Sequence, residues 1–223
     1  MQKQKQKSIL VIGMGRFGRH LARNMQEMGH SVMVVDNDPS LESSLSILFP
    51  NYVIGNCTNE HVLHALGVPE FDICFVTIGT HFESSIVITS HLKNLGAKRI
   101  VTKAGRAIQT EVLMKIGADE IVYPEKEMAE KLAVRYSASN ILDYIELTGD
   151  YSVFEITVPT EWIGKTIGDL DIRRKYSVNI LALKHDADIR AMPSADCLLH
   201  PNDIVVLMGK DDDVFRLTAK ENK

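Results

Sequence analysis

Short apolar runs alternate with amphipathic stretches along the first part of the chain. Runs of Val, Ile and Leu closed by a turn are typical of strands buried in a parallel sheet. They predict strands over residues 9–12, 31–35, 52–54, 73–78, 99–102 and 120–123. The stretches between them repeat apolar residues at helical spacing. This alternation predicts an α/β fold with a Rossmann-like, doubly wound parallel sheet and right-handed crossovers.

The pattern changes between residues 137 and 151, where the helical period fades and a Thr-Gly-Asp turn follows. We therefore expect two domains, residues 1–140 and residues 141–223. In the second, strands are predicted over residues 153–158, 178–184 and 204–208, with helices ending near residues 170 and 217. This indicates a smaller α+β module, and a core of that size often depends on a second copy of the chain.

The first predicted strand leads into a glycine-rich loop. Gly13, Gly15 and Gly18 form a G-x-G-x-x-G motif directly before a predicted helix. In such a loop the first glycine permits a tight turn, the second lets a phosphate approach the backbone, and the third lets helix and strand pack closely. The free N–H groups at the start of the helix favour the same phosphate.

Asp36 ends the second predicted strand, where a carboxylate is placed to bind the hydroxyls of an adenosine ribose and to repel a 2′-phosphate. The alternative is a glycine turn that binds no ligand. The position of the acidic residue favours the ligand-binding interpretation.

Ligands of doubly wound sheets bind beyond the carboxyl ends of the strands, which selects further candidates. The residues at these ends are Asp36, Asn56, Cys57, Ile78, Gly79, Lys103 and Glu125. Arg16, in the glycine loop, can contact a phosphate bidentately, and Lys103 can do so as a point charge. Structural alternatives are an Asx turn for Asn56, a solvated strand end for Lys103 and, favoured for Cys57, a small buried apolar residue.

Glu125 is unusual in this set, because an anion near phosphates is repulsive. A divalent metal that bridges the carboxylate and a phosphate would resolve the repulsion. Equally supported is a residue at a helix N-terminus, stabilised by the helix dipole.

Composition argues against several classes of protein. The 223 residues carry a formal net charge of −4, and neither half has the basic excess expected for nucleic-acid binding. Three cysteines without a C-x-x-C pair indicate reduced cytosolic thiols. The sequence has no apolar run of membrane-spanning length and no signal-peptide pattern.

Catalytic motifs are also missing from the sequence. It contains no G-x-S-x-G, H-E-x-x-H or Walker motif, and His61 and His64 lack a third metal ligand. A non-catalytic nucleotide-binding protein is therefore favoured. A small NAD-dependent oxidoreductase stays open, because it would use the same glycine loop and Asp36.

The order of motifs GMGRFG, VVDND, GNCT, TIGT, VTKA and YPEKEMA, followed by a small module, resembles the cytosolic regulatory (RCK) subunits of bacterial Trk/Ktr potassium uptake systems. The segment KIGADEIVYPEKEMAEKLA resembles the Ktr branch most. The resemblance implies a gating subunit with an RCK C-terminal domain, assembled from dimers into an octameric ring. The ring would dock on a membrane potassium-transport subunit at the cytoplasmic face, and ATP/ADP exchange would change its shape. Trk-branch relatives imply NAD(H) as the alternative ligand.

The same resemblance implies individual roles. Arg16 would contact the ATP γ-phosphate from a neighbouring subunit, Asp36 would hold the ribose, Lys103 would lie near the phosphates, and Glu125 would help to hold a divalent cation, Mg²⁺ or Ca²⁺. The full nucleotide-binding set comprises Gly13, Gly15, Arg16, Phe17, Gly18, Asp36, Asn37, Asp38, Asn56, Cys57, Ile78, Gly79, Thr80, Lys103, Ala104, Gly105 and Glu125.

A second segment, LDIRRKYSVNILALK, resembles the part of Ktr regulators that binds cyclic di-AMP at a dimer interface. Arg173 would face a phosphate and Asn179 a base. The apolar surroundings would come from Ile163, Val178, Ile180 and Pro193. Alternatively, Arg173 belongs to a solvated Arg-Arg-Lys run and Asn179 is an amide at a strand edge.

Overall fold

The computed structural model describes residues 5–79, 81–186 and 188–219. The chain forms two compact units, of which the first ends at Glu125 and the second begins at Lys126. The division predicted from sequence, after residue 140, stays a prediction. Within the described residues, no helix combines the length and the apolar character needed to cross a membrane.

In the first unit, strands and helices alternate as the sequence pattern predicts. The strands are β1 (Ser8–Ile12), β2 (Ser31–Asp36), β3 (Tyr52–Ile54), β4 (Ile73–Val76), β5 (Ile100–Lys103) and β6 (Glu120–Val122). The helices are α1 (Arg16–Glu27), α2 (Glu42–Leu48), α3 (Glu60–Leu66), α4 (Phe82–Asn94) and α5 (Ala107–Ile116). The described strands form one parallel sheet in the order β3-β2-β1-β4-β5-β6, which confirms the predicted doubly wound fold.

Both faces of this sheet are buried. Leu10 and Ile12 pack into one apolar cluster and Ile9 and Val11 into another, so successive residues of β1 contribute to opposite sides. This explains why the strands are continuous apolar runs rather than alternating ones. The strand order reverses between β1 and β4, and the crevice at that point is where ligands of this fold bind.

The second unit contains an antiparallel sheet. Its elements are α6 (Pro124–Ser137, which starts at the end of the first unit), β7 (Ile141–Thr148), β8 (Tyr151–Thr157), α7 (Ile167–Leu170), α8 (Ile172–Tyr176), β9 (Asn179–His185), β10 (Asp188–Ala191), β11 (Ile204–Lys210) and α9 (Asp211–Ala219). The described strands follow the order β10-β9-β11-β8-β7. The core contains the fully buried side chains of Phe154 and Trp162.

Three elements of this unit were not predicted. Strand β7 was not predicted, although Ile145 and Leu147 alternate with Glu146 and Thr148; both apolar side chains are exposed, at 63% and 50%. Strand β10 is exposed along its length, and helix α8 is one short turn rich in basic residues. Of β10 and α8, only α8 buries a residue, Ile172, so neither has a pattern of burial along its length.

Candidate functional site

The glycine loop lies between β1 and α1 and is held by close packing. Gly13 has a φ of +98°, and a Cβ there would lie 3.0 Å from Cγ1 of Ile78. A Cβ on Gly18 would lie only 2.1 Å from the carbonyl oxygen of Gly13. The mechanical roles predicted for these two glycines are therefore confirmed: the first makes the turn and the third allows α1 to approach it.

Gly15 differs from its two neighbours. Its φ is −66°, and no described atom lies within 4 Å of the position that a Cβ would take. The protein's own packing therefore does not require glycine here. The residue stands directly before the first turn of α1, where N–H groups are free to bind an anion, and the open space would let a phosphate reach them.

Thr77 anchors the loop and was missed by the sequence analysis. Its buried hydroxyl donates to the carbonyl of Gly13 at 2.6 Å, and its backbone N–H donates to the carbonyl of Ile12 at 2.8 Å. These bonds tie the carboxyl ends of β1 and β4 together at the strand-order reversal. The available signals were its place as a small polar residue at the end of an apolar strand and its position at the start of the TIGT motif.

Asp36, at the end of β2, lies beside the loop as predicted. One carboxylate oxygen accepts a hydrogen bond from the N–H of Met14 at 2.6 Å, and the other accepts from the N–H of Asp38 at 3.0 Å. The half-buried carboxylate keeps further lone pairs for ligand hydroxyls. Asn37 and Asp38 are exposed, and Asp38 itself accepts from the N–H of Ser40, a local turn.

Lys103 and Glu125 form an ion pair at the same edge of the sheet. The Lys103 Nζ atom lies 2.6 Å from Oε1 of Glu125 and 5.8 Å from the ring centroid of Phe17. The hydrogen bond from Lys103 lowers the pKa of the Glu125 carboxyl, and the charge of Arg16 contributes in the same direction. The repulsion expected for an anion at this position is therefore relieved by Lys103 in this chain.

The β3 end is held by a local turn. The Asn56 side-chain oxygen accepts from the N–H of Thr58 at 3.0 Å and from its hydroxyl at 2.8 Å, the Asx turn considered as the alternative. Cys57 is 3% exposed, and burial, with the nearby charge of Asp36, raises the pKa of its thiol to about 12. Its side chain belongs to the core, so a ligand has only its backbone to contact.

The loop after β5 is organised by Gln109, which was not among the predicted site residues. Its side-chain oxygen accepts from the N–H of Gly105 at 2.8 Å and from that of Arg106 at 3.2 Å. Ala104 is fully buried, whereas Gly105 is exposed.

After β4, Ile78 is half-buried and Gly79 exposed, while Thr80 lies outside the described residues. A Cβ on Gly79 would lie 3.6 Å from Nζ of Lys103, so the loops after β4 and β5 approach each other here. Gly79, Phe17, Lys103 and Glu125 are thus brought together. Among the described residues, no group of three His, Cys, Asp or Glu side chains forms a metal site.

The candidate residues for a second ligand lie on several segments of the second unit. Arg173, on α8, is exposed, Asn179 begins β9 and is half-buried, and Ile163 is 36% exposed. Ile180 and Pro193 are half-buried. Val178 is fully buried, and a Cβ on Gly209 would lie 2.7 Å from its Cγ1. The Val178 side chain therefore fills the core and has no surface for a ligand.

Comparisons with known proteins support the fold described above. The protein-family model of the TrkA-N domain matches residues 9–124 of this chain, and that of the TrkA-C domain matches residues 152–220. The Ktr system potassium uptake protein C of Bacillus subtilis (strain 168) is 39% identical over 214 residues, which cover 96% of this chain and 97% of the relative. Ktr system potassium uptake protein A of the same organism is 37% identical over 216 residues, 97% of each chain.

Solved structures share the fold. The GsuK RCK domain superimposes with a TM-score of 0.69 at 20% identity and covers 100% of this chain and 49% of its own. A GsuK channel bound to NAD gives a TM-score of 0.68 at 21% identity, over 96% of this chain and 39% of that one. This chain thus spans less than half the length of the GsuK chains it matches.

Proposed function

Because the chain belongs to the family of Ktr and Trk potassium uptake proteins with a TrkA-N and a TrkA-C domain, we propose that it is a non-catalytic regulatory subunit whose first unit binds adenine nucleotides. The observation that carries the proposal is the glycine loop. Gly13 and Gly18 are required by packing, whereas Gly15 leaves open space at the start of a helix. The Asp36 carboxylate beside the loop completes a cradle for a ribose and its phosphates.

Control of transport would follow from differential binding. A nucleotide can shift an assembly between two shapes only by the difference in its affinity for them. We propose ATP and ADP as the two ligands, a ring of eight chains built from dimers as the assembly, and a membrane potassium-transport subunit as the partner. The chain would then act in the cytoplasm, at the inner face of the membrane.

Arg16 offers the first test. It is exposed at the first position of α1, and its guanidinium would bind the γ-phosphate of a nucleotide held by a neighbouring chain. We expect Arg16→Ala to reduce the preference for ATP over ADP by about tenfold, measured by calorimetry on the assembled protein. Arg23→Ala, in the same helix, is the control. An unchanged ATP/ADP affinity ratio in Arg16→Ala would contradict the proposed role.

NAD(H) is the alternative ligand, since Asp36 suits an adenosine ribose in either compound. The GsuK channel, which shares the fold, is described with NAD and, in another structure, with ADP. Competition of NADH against ATP on the purified protein separates the two. Turnover of nicotinamide with a substrate panel would instead favour a small oxidoreductase.

A divalent cation at Glu125 would need further ligands, because a single chain offers this carboxylate already paired with Lys103. Phosphate oxygens of a nucleotide, or a second chain, would have to supply them. The test is whether Mg²⁺ or Ca²⁺ tightens ATP binding in the parent and not in Glu125→Gln.

Cyclic di-AMP remains the candidate ligand of the second unit. Arg173 is exposed and free of the core, as a phosphate-binding guanidinium should be. Retention of the protein by a cyclic di-AMP matrix, and its release by free cyclic di-AMP, is the measurement.

A further inference from the structure

The Lys103 side chain lies where three segments meet. Its ammonium contacts Glu125 in the first turn of α6 and faces the ring of Phe17 in α1. A Cβ added to Gly79, after β4, would lie 3.6 Å from the same nitrogen. One cation thus joins the helix that follows the glycine loop, the loop after β4 and the start of α6.

The two partners of this ion pair differ in burial. The side chain of Lys103 is 11% exposed, whereas that of Glu125 is 63% exposed. A largely buried ammonium requires an anionic or hydrogen-bonding partner, because its own hydration is lost. An exposed carboxylate can return to water at little cost. The pair can therefore be exchanged if a second anion reaches Lys103.

We propose that Glu125 competes with a nucleotide phosphate for Lys103, so that phosphate binding releases the first turn of α6 from the nucleotide site. This inference rests on the proposed adenine-nucleotide site. Glu125 weakens nucleotide binding as an internal competitor. Conversely, a phosphate bound at the site frees the first turn of α6 from Lys103. Helix α6 is the element through which the chain continues into the second unit.

The test measures affinities for ADP and for adenosine by calorimetry, with EDTA present to remove divalent cations. Glu125→Gln is expected to tighten ADP binding about two- to fivefold, because the competitor is removed. Adenosine binding should not change, because adenosine has no phosphate. The matched control is Glu130→Gln, which removes the same charge five residues further along α6, where the carboxylate pairs with Lys126.

A second pair of variants distinguishes exchange from simple repulsion. Lys103→Gln should weaken ADP binding by about tenfold or more. The double variant with Lys103→Gln and Glu125→Gln should bind ADP with the same affinity as Lys103→Gln alone. NMR titration extends these measurements to millimolar affinities.

An unchanged or weaker ADP affinity in Glu125→Gln would overturn the inference. An equal gain in the Lys103→Gln background would also overturn it, since Glu125 would then act by charge repulsion alone. If the parent protein binds neither ADP nor adenosine, the proposed function fails instead.

Discussion

The two units present their candidate ligand residues on different scaffolds. In the first, these residues follow the carboxyl ends of parallel strands, and open space at Gly15 exposes the start of a helix. In the second, they lie on the one-turn helix α8, on the antiparallel strand β9 and in loops, and the loop residue Val178 is fully buried. The first scaffold offers backbone N–H groups to a ligand, whereas the second can offer mainly side chains.

This difference determines which substitutions can separate binding from stability. A backbone cradle tolerates changes at an open position such as Gly15 and not at a packed one such as Gly18. In the second unit, the buried Val178 and the exposed Arg173 lie five residues apart, so substitutions there separate a contribution to the core from a contribution to binding.

The largest effect is expected in the glycine loop. Gly18→Ala would bring a Cβ to 2.1 Å from a backbone oxygen, which no side-chain rotation can relieve, and we expect it to lower the free energy of unfolding by about 3 kcal/mol. Denaturant titration measures this change.

Gly15→Ala is the matched control for that variant. Its stability should stay within about 1 kcal/mol of the parent's, because its φ suits alanine, while its ADP affinity should fall as the added methyl fills the cradle. Equal free energies of unfolding for the two variants, or parental ADP affinity in Gly15→Ala, would contradict the distinction between an open Gly15 and a packed Gly18.

In the second unit, the expected effect is smaller. Val178→Ala removes two buried methyl groups and should lower the free energy of unfolding by about 2 kcal/mol, measured in the same way. Arg173→Ala should change it by less than about 0.5 kcal/mol, since the residue is exposed, and should weaken cyclic di-AMP binding about tenfold. Undiminished cyclic di-AMP binding by Arg173→Ala would exclude the segment around Arg173 as the binding site for cyclic di-AMP.

The sequence pattern was sufficient for the parallel sheet, because its central strands are buried on both faces and are therefore rich in consecutive apolar residues. The glycine spacing likewise located the loop, since its sterics are local. Thr77 and Gln109 were missed because their importance arises from acceptors and donors that only the folded chain brings near.

Pairing over long sequence separations was equally inaccessible. Lys103 and Glu125 were both selected as strand-end residues, yet nothing in the sequence indicated that one neutralises the other across 22 positions. The charge problem at Glu125 was recognised, and a divalent metal or the helix dipole was offered as its resolution, whereas the contact with Lys103 was not foreseen.

The smallest predicted effect concerns a second ion pair, whose burial is the reverse of that of Lys103 and Glu125. Nδ1 of His185 lies 2.5 Å from Oδ1 of Asp203, and here the carboxylate is buried, at 5% exposure, while the histidine is 61% exposed. The second oxygen of Asp203 accepts from the N–H of His200, so the carboxylate links the turn before β11 to the end of β9.

The hydrogen bond and charge of Asp203 raise the pKa of His185, with smaller contributions from Asp186 and Asp188. A raised pKa means that protonation of His185 stabilises the folded state. That contribution is complete below the ordinary histidine pKa of about 6.5 and is lost as the pH rises through the raised value.

We therefore expect His185→Gln to lower the Tm by a few degrees at about pH 5.5 and by less at about pH 8.5. His61→Gln, an exposed histidine of α3, is the control. A Tm difference between the parent and His185→Gln that stays constant over this range would show that the pair contributes through geometry alone and that protonation of His185 adds nothing to stability.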